Sequence, residues 1–265
     1  MSATPQATAR RLLHRHRTGA RSRARLVCFP HAGSPQGFFS SWPRGLPDQL
    51  ELFSARYPGS ATEHAGRAGT LTGLAGLVAD EIAALPPKPT YLFGHSMGAL
   101  VAYETARRLE TYGTGGSASV TPVRLFVSGC DAPTVPRHDP DVSDDAALAA
   151  ELRRLGGTGA GLLDDPAVRQ AWLPGVRHHF RLLASYLLRP EPALRCPVTA
   201  LVGREDTEAS PEGAGRWREL TTAPFDLRGF PGGHFYLVPH RDLLLDELRQ
   251  RVALHGPGAS WLPAP

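Results

Sequence analysis

A serine, an aspartate and a histidine, far apart in the chain, are the residues whose types and settings best suit chemistry. They are Ser96 in Gly94-His95-Ser96-Met97-Gly98, Asp206 in Gly203-Arg204-Glu205-Asp206, and His234 in Gly232-Gly233-His234-Phe235. A neutral serine hydroxyl becomes a useful nucleophile only when a base takes its proton; an imidazole does that near neutral pH, and a carboxylate fixes its tautomer and stabilises the imidazolium. Together the three side chains spell acyl transfer through a covalent serine intermediate. Asp131, which also follows a predicted strand, stands as the runner-up acid. His31 precedes the serine in the chain and is read as a residue that shapes its loop. The sequence holds eleven histidines and three cysteines, yet no H-x-x-x-H, H-E-x-x-H or C-x-x-C spacing, so neither a metal nor another cofactor is expected.

These residues need elements to position them. Tyr91-Leu92-Phe93 reads as a buried strand entering the Gly94–Gly98 turn, and Leu100, Val101 and Leu109 continue at helical spacing. A G-x-S-x-G pentapeptide between strand and helix is a nucleophile elbow, with the helix N-terminus directly behind the serine. Further strand runs are Arg25–Phe29, Glu51–Ala55, Arg124–Ser128, Pro197–Gly203 and Asp226–Phe230. Helical spacing marks Leu71–Leu85 and Arg241–Leu254. Strands alternating with helices predict a mostly parallel sheet covered on both faces, with its site at the carboxyl ends of the strands. The order serine, acid, histidine, each just after a strand, is that of the α/β-hydrolase fold. In that fold the loop after the first buried strand and the residue after the nucleophile supply the oxyanion-hole N–H groups, here Ala32 and Met97.

The alternation lapses between Pro133 and Leu188, where two helical stretches, about Asp144–Leu155 and Pro166–Leu188, predict a lid inserted over the site. The hydrolase domain is expected to span 25–255, with a tail over 256–265. Met1 to Arg25 holds seven arginines and no acidic residue, so the remainder has 22 basic against 25 acidic side chains and the net +4 belongs to the leader. An apolar-poor basic leader, 1–24, is expected to be disordered, and without it the domain has no basic footprint for nucleic acid. No run approaches the ~18 apolar residues of a membrane span. The odd, unpatterned cysteines (Cys28, Cys130, Cys196) fit a reducing cytoplasm.

One family shares the whole set of motifs. Phe29-Pro30-His31-Ala32-Gly33, Tyr57-Pro58-Gly59, Gly94–Ala99, Leu155-Gly156-Gly157-Thr158, Leu173-Pro174, Gly203 with Asp206, and Gly232-Gly233-His234-Phe235 resemble the type II thioesterases, editing enzymes of polyketide and nonribosomal-peptide assembly lines. The resemblance implies hydrolysis of acyl groups from the phosphopantetheine arm of acyl or peptidyl carrier protein domains. Three positions depart from the family pattern. Ser34 replaces a second glycine, Ser60 replaces an arginine, and Arg177-His178-His179 replaces an arginine, small residue, aspartate run; acyl preference is therefore not carried over. Two other functions use the same residues: an esterase or peptidase on a free small molecule, because fold and triad leave the scissile bond open, and a hydrolase-fold binding protein without turnover. The intact Ser96, His234, Asp206 and Asp131 speak against the latter.

Overall fold

The computed structural model describes residues 11–17, 22–58, 68–114, 121–137, 140–156 and 160–252. The first ten residues, Ser60 and the expected tail at 256–265 lie outside them. Seven strands form one sheet: β1 (Leu13–Arg17), β2 (Ala24–Phe29), β3 (Leu50–Ala55), β4 (Thr90–His95), β5 (Pro122–Ser128), β6 (Val198–Gly203) and β7 (Phe225–Phe230). Their spatial order is β1-β3-β2-β4-β5-β6-β7, with every pairing parallel except the antiparallel β1 edge. Strands β2, β3, β4 and β6 are buried along their whole length. Helices cover both sheet faces, which is why these strands read as nearly continuous apolar runs without alternation.

Two cores result. Helices α1 (Leu71–Ala83) and α2 (Met97–Thr114) cover one face, where Leu74, Val78, Leu100 and Leu109 meet Val27, Leu92 and Val127. Thr70 starts α1 by accepting a hydrogen bond from Gly73 N at 3.0 Å, which satisfies one of the free N–H groups of its first turn. On the other face α6 (Arg241–Arg251) packs Leu244, Leu245 and Leu248 with Phe39, Trp42 and Phe93. Between β5 and β6 the chain leaves the sheet and forms α3 (Asp145–Leu155) and α4 (Pro166–Ala184). These helices have a small core of their own, built on Leu148, Leu152, Leu173, Val176 and Phe180.

The described stretch 11–17 of the basic leader is ordered, contrary to the expected disorder. Residues 13–17 are the β1 edge strand, and Leu12 is buried against the α1 side. The Glu81 carboxylate accepts from Leu12 N at 2.7 Å and Leu13 N at 3.0 Å, while Arg17 donates to the carbonyls of Leu50, Pro43, Leu46 and Pro47. Leu-His-Arg-His-Arg carries no apolar alternation because an edge strand needs none, and charged edges discourage pairing between molecules. Deletion of residues 1–17 is accordingly expected to destabilise the domain. Losing one buried leucine and the anchoring hydrogen bonds is worth about 2–4 kcal/mol, or a Tm lower by about 5–15 °C. Calorimetry of the truncated protein checks this; an unchanged Tm would mean that β1 contributes nothing.

Candidate active site

Strand β4 ends at His95 and α2 begins at Met97, so Ser96 alone makes the turn. It adopts φ +55°, a conformation that no other non-glycine side chain among the described residues takes. Such backbone costs on the order of 1–3 kcal/mol and persists where the surroundings enforce it. The flanking glycines do so. A Cβ on Gly94 would meet Gly98 O at 2.1 Å, and one on Gly98 would meet Phe29 O at 2.1 Å. Only hydrogen atoms fit where β4, α2 and β2 converge. Ser96 N donates to Ser128 O at 2.8 Å, tying the turn to β5.

His234 and Asp206 arrive from two loops at the far strands. Asp206 follows β6 in a turn where its Oδ1 accepts from Glu208 N at 2.8 Å and Ala209 N at 3.2 Å. His234 follows β7, and its Nδ1 lies 3.2 Å from Asp206 Oδ1 and 3.1 Å from Oδ2. The Asp206 side chain is fully buried and that of His234 is 5% exposed, so the pair meets out of bulk water. With Nδ1 facing a carboxylate the proton sits there, and Nε2 is left free to act as a base. The runner-up Asp131 is directed elsewhere: its Oδ1 accepts from Ser210 N at 2.9 Å, just ahead of α5 (Pro211–Gly215). Burial raises its pKa, with the Asp206 charge adding to the rise.

Ser96, Met97, Ala32, Asp131 and His234 line one cavity of about 520 Å³, a volume suited to a small organic ligand. The inserted helices roof it with Leu152, Leu155, Trp172, Phe180 and Leu183, while Leu100 and Cys130 lie on the sheet side. Arg137, Glu151, Arg154 and Glu208 supply the polar part of the lining. Arg154 on α3 binds both Glu151 and Glu208, its NH2 group lying 2.6 Å from Glu151 Oε1 and 3.0 Å from Glu208 Oε2. Those hydrogen bonds hold the Glu208 carboxyl below its ordinary pKa. The loop that carries Asp206 is thereby tied to the roof. Arg177 donates to Val142 O at 3.0 Å and Asp145 Oδ1 at 2.6 Å, so its charge serves to join α4 to the start of α3.

Three supporting residues were not singled out by sequence reasoning. His95 is buried with its ring 5.0 Å from that of His234. Its Nδ1 lies 3.0 Å from Ser128 Oγ, which lies 2.7 Å from Tyr236 OH. This chain braces His234 from behind; its only sequence signal was position, one residue before Ser96 and two after His234. His31 packs edge-on between Phe38 and Phe235, and burial lowers its pKa to about 3. Burial likewise depresses His95. Both rings stay neutral at physiological pH and add no charge beside His234. Among the described residues no cluster of three or more His, Cys, Asp or Glu side chains is placed to hold a metal.

A mostly parallel sheet of this strand order, with a strained serine between β4 and α2, defines an α/β-hydrolase. Residues 24–252 match the family model described as the thioesterase domain. The chain is 38% identical to a probable cadicidin biosynthesis thioesterase of Streptomyces griseus, over 95% of this chain and 68% of the relative, and 38% identical to thioesterase PikA5 of Streptomyces venezuelae, over 85% and 79%. Among solved structures it superimposes with a TM-score of 0.80 on the type II thioesterase BorB from the borrelidin biosynthetic cluster, at 32% identity over 94% of this chain and 100% of that one. The thioesterase RedJ from the prodiginine pathway of Streptomyces coelicolor gives 0.76 at 35% identity, over 94% and 92%. The chain belongs to the thioesterase family, as a type II member, and is a hydrolase acting on thioester bonds.

Proposed function

We propose that this enzyme removes acyl groups from the phosphopantetheine arm of acyl or peptidyl carrier domains, clearing a polyketide or nonribosomal-peptide assembly line, with Ser96, His234 and Asp206 as its catalytic triad. The observation that carries the reading is that His234, paired with the buried Asp206, lines the same cavity as a serine held at φ +55°. His234 Nε2 takes the Ser96 hydroxyl proton as Oγ attacks the thioester carbonyl. The N–H groups of Ala32 and Met97 receive the negative oxygen. Collapse expels the pantetheine thiol, protonated by His234; water, deprotonated by the same imidazole, then cleaves the acyl-serine and releases the free acid.

The relatives' biosynthetic settings support a carrier as the partner. A cytoplasmic setting belongs to the same proposal, supported by three free cysteines; no described helix is long and apolar enough to cross a membrane. The α3–α4 insertion serves as a lid that keeps water from the acyl chain. Arg181 and Arg189, both exposed at the end of the lid segment, are placed to meet an acidic carrier. The same acyl group presented on a carrier, on free pantetheine and as an oxygen ester tests the reading. The carrier-bound form is expected to give the highest kcat/KM, by roughly tenfold or more. Added salt should raise KM for the carrier-bound substrate by roughly threefold or more and leave the pantetheine thioester nearly unaffected. Equal rates and equal salt dependence would point to an esterase of free small molecules.

A further inference from the structure

The lid helix α4 does more than roof the cavity, because two of its side chains grip the loop that carries Ala32. Gly33 N donates to His179 Nδ1 at 3.1 Å, and Trp172 Nε1 donates to Gly33 O at 3.0 Å. Trp172 and His179 are seven residues apart, two turns of the same helix face. Val176 lies between them, and a Cβ on Gly33 would meet its Cγ2 at 2.9 Å. Gly33 itself has φ +70°. The two peptide groups flanking the Gly33 Cα are therefore held by α4, one through its N–H and the other through its carbonyl. Fixing the Ala32–Gly33 peptide sets ψ of Ala32, the residue proposed to donate to the oxyanion. It also commits the Gly33 N–H to His179, so that of the two adjacent lining residues Ala32 and Gly33 the glycine has no N–H to spare for an oxyanion.

We infer that His179 is a positioning residue: with Trp172 it sets the oxyanion loop from the lid, so that the oxyanion hole is complete only when α4 is docked. His179 does not line the acyl cavity but borders a second, small one with Pro30, Ser34 and Tyr57. Its ring packs edge-on against Tyr57 with centroids 5.5 Å apart. An Nδ1 that accepts from a backbone N–H requires the neutral ring with its proton on Nε2. Burial, reinforced by the neighbouring His178, supplies that state by lowering the His179 pKa to about 4. A histidine thus fills, as a neutral acceptor, the position where the family pattern has an aspartate. The inference rests on the proposed triad and oxyanion hole and adds a dependence on the lid.

His179→Leu keeps most of the volume and removes the acceptor; His179→Asn returns an acceptor oxygen close to the Nδ1 position. On a small acyl thioester, His179→Leu is expected to lower kcat by about 10- to 100-fold with KM within about twofold, since a misplaced donor acts on the transition state alone. His179→Asn should recover kcat to within about threefold of wild type. Affinity for a trifluoromethyl ketone of the same acyl chain, which forms a tetrahedral oxyanion on serine, should fall with kcat, while affinity for the product acid stays unchanged. Trp172→Phe, which removes only the Nε1 donor, should weaken the ketone in the same direction. Full activity in His179→Leu would overturn the inference, as would equal losses in the leucine and asparagine variants or an effect confined to KM. Ser96→Ala assayed alongside separates the two readings. If it stays active, the triad is wrong; if it is inactive while His179→Leu matches wild type, the triad stands and the coupling to α4 falls.

Discussion

Ser96→Ala is expected to lower kcat for an acyl thioester by roughly ten-thousand- to a million-fold, the range over which loss of the nucleophile disables a serine hydrolase. The cause is local. Ser96 Oγ is the side-chain oxygen held at the elbow between β4 and α2, and the turn is enforced by contacts of the Gly94 and Gly98 backbone that the substitution leaves in place. Alanine at φ +55° carries the same Cβ as serine, so the strain is unchanged and Tm should move by no more than about 3 °C. A burst of free thiol, stoichiometric with enzyme, should vanish along with turnover. Wild-type rates in the variant would remove Ser96 from the mechanism.

Asp206→Asn is expected to cost about ten-thousand-fold in kcat, because an asparagine that turns its N–H₂ toward His234 Nδ1 imposes the wrong tautomer and withdraws the negative charge from the imidazolium. The alternative orientation, with the amide oxygen toward His234, turns the N–H₂ against the backbone donors of Glu208 or Ala209, which now bond to Oδ1. Either way one partner is lost. Asp131→Asn is expected to cost less than about tenfold, since the Asp131 carboxylate accepts from Ser210 N near the start of α5 and not from the imidazole. Side-by-side kinetics of the two variants decide the matter: a larger loss at Asp131 would transfer the acid's role to β5.

The elbow was readable because every requirement for it is local. Two glycines, a serine, an apolar strand before and a helical repeat after are all set within about twenty residues, and no distant partner is needed to recognise them. The same holds for the buried strands, whose apolar runs report helices on both faces, and for the chain order that placed Ser96, Asp206 and His234 at strand ends. The β1 strand was hidden for the opposite reason. Leu13–Arg17 owes its conformation to β3, to Glu81 on α1 and to the carbonyls held by Arg17, and a basic pentapeptide has no pattern of its own to announce them.

The residues along the chain thus specified the fold class, the turn that holds Ser96 and the strand-end loop that carries His234, since strand, turn and helix propensities act over short distances. The choice between Asp206 and Asp131 did not lie in local pattern, because both follow a parallel strand at the same end of the sheet. Only the packed loops show that Asp206 is the carboxylate that meets His234 Nδ1, while Asp131 meets Ser210 N. Arg177, the first residue of the lid run that departs from the family pattern, is turned onto Asp145. His179, 146 residues from Gly33 in sequence, acquires its partner only when α4 folds back across the β2 loop. Contacts of that range depend on how the inserted helices pack over the sheet, which is a property of the assembled core and of no single segment.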